Sequence, residues 1–120
     1  MDVLLVDDSK TMRMLVQRAL RQAGFRNLVI GEAENGIHAL DVLSRDTPKL
    51  ILSDWNMPEM SGIDFLKRLR ADNVPIPFGF ITSEASAEIK SLATENGARF
   101  VITKPFSPES MENVLAPFLR

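Results

Sequence analysis

Apolar residues fall in four short unbroken runs: Val3–Val6, Leu50–Leu52, Phe78–Ile81 and Phe100–Ile102. Runs that are continuous rather than alternating predict strands covered on both faces, as in a parallel sheet. Leu28–Ile30 is a weaker fifth run that turns polar at Glu32, which predicts an edge strand. Between the runs the spacing becomes helical. Met12, Leu15, Val16, Ala19, Leu20 and Ala23 recur at i, i+3 and i+4, with Ser9 placed to cap the helix and Gly24 to close it. Ala39, Leu40 and Leu43 repeat the pattern after Asn35-Gly36, and Phe65, Leu66 and Leu69 repeat it after Ser61-Gly62. Ile89, Leu92 and Ala93 end at Asn96-Gly97. The last stripe is Met111, Val114, Leu115 and Phe118, with Ser107 as cap and Pro108 at the first helical position.

Five strand-then-helix units predict an α/β fold: a doubly wound (βα)5 domain over residues 1–120, with a five-stranded parallel sheet, right-handed crossovers and helices on both faces. A length of 120 residues and 45% hydrophobic content suit one packed core. The formal net charge of −2 argues against a nucleic-acid surface. The absence of cysteine excludes disulfides, thiolate metal sites and thiol nucleophiles. No apolar run has the length to cross a bilayer, and the N-terminus lacks the basic flank of a signal peptide. A cytoplasmic location without membrane attachment is the resulting expectation.

In doubly wound sheets ligands bind beyond the carboxyl ends of the strands. Asp7 and Asp8 follow the first run, Asp54 the third, Thr82 and Ser83 the fourth, and Lys104 the fifth. A single strand-end aspartate is commonly a turn or cap residue; several polar groups converging at one end are harder to explain that way. Clustered carboxylates repel unless a cation neutralises them. Oxygen ligands without histidine or cysteine point to Mg2+. A carboxylate can also attack phosphorus to give an acyl phosphate, and phosphoryl transfer needs mainly charge compensation and positioning. Lys104 would add positive charge and Thr82 a hydroxyl.

Val6-Asp7-Asp8-Ser9, Asp54-Trp55-Asn56-Met57-Pro58, Ile81-Thr82-Ser83-Glu84 and Thr103-Lys104-Pro105-Phe106 resemble the signature of two-component response-regulator receiver domains, most closely their CheY-like chemotaxis members. The resemblance spans essentially the whole chain, and Met12-Arg13 and Ala33-Glu34-Asn35-Gly36 add to it. It implies a flavodoxin-like strand order of 2-1-3-4-5. It implies that Asp54 accepts a phosphoryl group from a histidine kinase. Asp8, Asp54 and the backbone carbonyl of Asn56 would ligate Mg2+, Asp7 would act mainly through a metal-bound water, and Thr82 and Lys104 would hold phosphoryl oxygens. It further implies a cis Lys104–Pro105 bond, tuning of hydrolysis by Asn56 and Glu84, and an output face made of Ala85–Glu95, Arg99–Thr103 and Ser107–Phe118. A flagellar motor switch protein is the partner suggested by the chemotaxis likeness, with the domain acting as a monomer or a phosphorylation-dependent dimer.

The chain departs from the family pattern at one place. An aromatic residue usually stands three positions before the lysine; here it is Val101, and strand alternation puts Phe100 on the other face. Switching is then expected to rely on the loop after Thr82 and the helix Ala85–Glu95. Pro58 and Gly62 are read as turn and capping residues, Trp55 as a partly exposed residue at the site rim, and His38 as a plain helical residue remote from the strand ends. Alternative readings are a receiver belonging to a longer regulator, an aspartate-nucleophile phosphatase, a flavin-binding module, and a receiver that acts only by dimerising. Adjacent Asp7-Asp8 disfavours the phosphatase, whose paired acids stand two residues apart, and would repel a flavin phosphate.

Overall fold

The computed structural model describes all 120 residues, and it has five strands and five helices in strict alternation. They are β1 (Val3–Val6), α1 (Lys10–Gln22), β2 (Ile30–Ala33), α2 (Gly36–Leu43), β3 (Leu50–Ser53), α3 (Gly62–Ala71), β4 (Phe78–Thr82), α4 (Ala87–Glu95), β5 (Phe100–Thr103) and α5 (Pro108–Leu119). All pairings are parallel, in the order β2-β1-β3-β4-β5. Each helix starts on a side chain that accepts a backbone N–H of its first turn: Ser9, Asn35, Ser61, Ser86 and Ser107.

The unbroken apolar runs reflect two cores, one on each side of the sheet. Leu4, Val6, Ile51, Phe78 and Phe80 pack against Ala39, Phe65, Leu66, Leu69 and Ala93 of α2, α3 and α4. Val3, Leu5, Leu50, Leu52, Ile81 and Ile102 pack against Val16, Ala19, Leu20, Met111 and Leu115 of α1 and α5. Successive residues of a strand point to opposite faces, so burying both faces requires every position to be apolar. Gly79 leaves room for the ring of Phe100: a Cβ there would lie 2.0 Å from the ring. That ring packs on the α1/α5 side, 5.5 Å from Phe118, while Val101 faces the other core. At the far end of α3, Arg70 donates to the carbonyls of Val74, Ile76 and Gly97, tying α3 to the turn before β5.

Two boundaries differ from the sequence expectation. The second strand is Ile30–Ala33 rather than Leu28–Ile30. Pairing with β1 runs from Val3↔Ile30 to Val6↔Ala33, so register, not local hydropathy, sets its span. The fourth helix starts at Ala87, two residues later than Ala85, because Ser86 caps it.

Candidate functional site

Parallel strands bring their carboxyl ends to one edge, and the loops that leave β1, β3 and β5 meet there. Asp54 N donates to Val6 O at 2.8 Å, fastening the end of β3 to the end of β1. Lys104 N donates to Thr82 O at 2.8 Å, doing the same for β5 and β4. The Lys104–Pro105 bond is cis.

Asp7, Asp8 and Asp54 each offer a carboxylate oxygen, and these atoms lie within 4.8 Å of one another. Asp7 is buried, Asp54 half-buried and Asp8 exposed. Lys104 Nζ stands 3.5 Å from Asp7 Oδ2 and 3.5 Å from Asp54 Oδ1. One ammonium therefore pairs with two of the three carboxylates. Asp7 Oδ1 also accepts from Ser9 N at 2.9 Å, and Asp54 Oδ1 accepts from Trp55 N at 2.8 Å. Burial pushes the Asp7 carboxyl above its ordinary range. The Ser9 N–H opposes this, the Asp54 charge adds to it, and Lys104 opposes it more weakly.

Thr82 ends β4 in register with Thr103 and is buried, its hydroxyl accepting from Glu84 N at 3.2 Å. It makes no hydrogen bond to the acidic group. Asn56 is exposed in the loop after Asp54, and its carbonyl accepts no hydrogen bond from the protein. The structure thus brings Asp7, Asp8, Asp54 and Lys104 together, with Thr82 and Asn56 at the margins. Glu84 lies just beyond Thr82, exposed, at the mouth of the β4–α4 loop.

Several residues differ from the sequence expectation. Trp55 is 9% exposed and not a rim residue; its ring lies 4.7 Å from that of Phe80, under the site. Phe80 is also the β-ladder partner of Val101, so the aromatic bulk on this face comes from β4 and the β3–α3 loop. Gly62 opens α3 behind the Ser61 cap, and its role is space: a Cβ there would lie 2.0 Å from Asp54 O. His38 sits in the first turn of α2, just after β2 ends, with Nδ1 accepting from Glu34 N at 3.1 Å. It is therefore nearer the end of β2 than helical placement alone suggested. Sequence reasoning noted Arg13 only within the Met12-Arg13 likeness and gave it no role at the site. Its Nη1 donates to Asp7 O at 2.6 Å and its Nε to Glu32 Oε1 at 2.9 Å. Ser53, whose buried hydroxyl donates to Asp54 O at 2.8 Å, was missed as well. The hint for Ser53 was a lone hydroxyl in an apolar strand; for Arg13 the likeness at Met12-Arg13 was a signal, but its partners Asp7 and Glu32 lie six and 19 residues away and no local pattern joins them.

The sequence model of the response regulator receiver domain matches residues 3–116. The chain belongs to this family. The receiver is 38% identical over 118 residues to the chemotaxis protein CheY1 of Helicobacter pylori, covering 96% of this chain and 94% of that protein. It is 40% identical over 117 residues to chemotaxis protein CheY-3 of Vibrio cholerae, covering 96% and 88%. Among solved structures it superposes on Vibrio cholerae CheY4 with a TM-score of 0.86 at 33% identity over 98% of both chains. It superposes on the signal receiver domain of a putative Luxo repressor protein from Vibrio parahaemolyticus with a TM-score of 0.88 at 26% identity, covering 98% of this chain and 88% of that one.

The receiver's donor set suits a small hard cation. It presents oxygen ligands from three carboxylates, the uncommitted Asn56 carbonyl, and no nitrogen or sulfur donor. A cation there would offset the burial, and the lesser repulsion from Asp54 and Asp8, that raise Asp7. No helix is long and apolar enough to cross a membrane.

Proposed function

We propose that this receiver is a phosphoaccepting switch in which Asp54 takes a phosphoryl group from the phosphohistidine of a histidine kinase. The observation that carries the reading is the juxtaposition of three carboxylates with one lysine ammonium at the carboxyl end of the sheet. An Asp54 carboxylate oxygen attacks phosphorus as the phosphorus–nitrogen bond breaks, and the departing imidazole nitrogen keeps the electron pair. The product is an acyl phosphate. Asp7, Asp8, Asp54 and the Asn56 carbonyl would hold Mg2+, Asp7 mainly through water. When bound, Mg2+ supplies positive charge that balances the carboxylates and the transferring group.

The protein's own groups do the rest. Lys104, already 3.5 Å from Asp54 Oδ1, pairs with a phosphoryl oxygen. The Thr82 hydroxyl accepts from Glu84 N and keeps its own proton to donate to a second oxygen, drawing the β4–α4 loop toward the site. The backbone bond from Lys104 N to Thr82 O couples the two movements. Glu84 and Asn56, both exposed at the mouth, are placed to govern access of water to the acyl phosphate.

Phosphorylation would add about −1.5 to −2 charge at this edge, and the face formed by α4, β5 and α5 would carry the signal. β5 is an edge strand and α4 buries only Ala93 fully, so this face has surface to offer a partner. The chemotaxis relatives favour a motility role in the cytoplasm, with a flagellar switch protein as partner. The decisive experiment is incubation with a small phosphodonor and Mg2+, followed by intact-mass measurement. One phosphate is expected, absent in Asp54→Asn and absent with EDTA. Uptake on another residue, uptake without divalent metal, or sustained hydrolysis of phosphomonoesters would refute the reading.

A further inference from the structure

We infer that Arg13 is a positioning residue for the cation site, acting through the peptide that joins Asp7 to Asp8. The inference rests on reading Asp7, Asp8 and Asp54 as the group that holds a divalent cation.

The three carboxylates are held in different ways. Asp7 is fixed by Ser9 N, and Asp54 by Trp55 N. The Asp8 carboxylate is exposed and makes no hydrogen bond or ion pair within the protein. Its position therefore depends on its backbone. That backbone leaves the sheet here: Asp7 N makes the last bond to β2, donating to Ala33 O at 3.0 Å. The Asp7 carbonyl has no strand partner, and Arg13 Nη1 supplies one at 2.6 Å. A peptide is planar, so fixing the Asp7 carbonyl also fixes the direction in which the Asp8 Cα departs.

Arg13 is itself braced at both ends. Its backbone N donates to Ser9 O at 3.0 Å inside the capped first turn of α1. Its Nε meets Glu32 on β2 at 2.9 Å, and its side chain is only 11% exposed. The planar fork of a guanidinium can hold a carboxylate and a carbonyl in fixed relation, which an ammonium cannot. The result is a strut from the edge strand to the one acidic residue that has no support of its own.

The test is calorimetric titration of the full chain with MgCl2, beside the backbone amide resonances of Asp8 and Asp54 recorded without metal. Arg13→Met is expected to weaken Mg2+ binding about 10-fold, as loss of an outer-shell support does, and to move the Asp8 amide resonance more than that of Asp54. Arg13→Lys is expected to fall between Arg13→Met and wild type. Glu32→Gln leaves the guanidinium in place but unpaired; it should weaken binding less than Arg13→Met, and it decides the matter if Arg13→Met does not fold. Arg70→Met removes a comparable set of carbonyl contacts far from the site and should leave the affinity unchanged. Equal affinity in wild type, Arg13→Met and Glu32→Gln, or equal weakening by Arg70→Met, overturns the positioning role alone. Failure of the wild type to bind Mg2+ overturns the cation reading and this inference with it.

Discussion

Asp7 is the residue on which the site's electrostatics press hardest. It is buried, it faces Asp54 and Asp8, and one shared ammonium is the only cation paired with its carboxylate. Two like charges no more than 4.8 Å apart repel by at least about 3 kcal/mol at an effective dielectric near 20; Lys104 offsets part of this. Asp7→Asn keeps an oxygen for Ser9 N and removes the charge. In EDTA the variant should therefore be more stable than wild type, by on the order of 1 kcal/mol, as read from urea midpoints. In saturating Mg2+ the order should reverse, because the variant gives up a charged ligand. A variant less stable than wild type in EDTA would mean that Lys104 and Ser9 outweigh the repulsion. Residues of this kind are legible from sequence because their type and strand-end position carry the information. Trp55 is not. Its burial depends on Phe80 arriving from β4, a contact that no local pattern encodes.

At the scale of elements, the continuous apolar runs locate β1, β3 and β4 within a residue or so because both faces of each are buried. β2 escapes that logic. It is an edge strand with one paired flank, so Gly31 and Glu32 are tolerated within it, while Val29, the most apolar-looking extension, is exposed. Its placement is instead set by Asp2. That residue donates its N–H to Val29 O and accepts Val29 N on Oδ2 at 2.7 Å. Its carbonyl takes Lys49 N and Leu50 N, and Lys49 Nζ lies 3.3 Å from Oδ1. Asp2 thus clasps the amino ends of β2 and β3 to β1. The Val29 N–H, with help from Lys49 and against some desolvation, holds its carboxyl below the ordinary 3.8. A depressed carboxyl contributes stability above the unfolded value and loses it as pH falls through the folded one. Asp2→Asn should therefore be less stable than wild type at pH 7. The gap should close as pH is lowered below 3.8, in a pH series of urea midpoints. A gap that persists unchanged in acid would show that the Asp2 charge is not what anchors β2.

At the scale of the molecule, the site exists only because the fold does. Asp7, Asp54 and Lys104 are separated by about two-fifths of the chain at each step and meet only when β1, β3 and β5 lie in one parallel sheet. The unfolded chain cannot assemble these ligands, so a cation bound by the native state must stabilise the whole domain by mass action. The gain is RT ln(1 + [L]/Kd), about 2.7 kcal/mol at a hundredfold excess over Kd. MgCl2 should accordingly raise the urea midpoint of the wild type against EDTA, in proportion to the logarithm of its concentration once saturated, with an unchanged slope. Asp8→Asn should lose most of that increment while being at least as stable as wild type in EDTA, since Asp8 makes no hydrogen bond or ion pair and its charge adds to the repulsion on Asp7. Asp54→Asn should lose it as well. A wild-type midpoint indifferent to magnesium would sink the cation site. An increment retained by both variants would place the ion elsewhere. Cooperativity is what makes this measurement decisive: with two cores sharing one sheet, no element that contributes a ligand can leave without the rest, so local occupancy is read out as global stability.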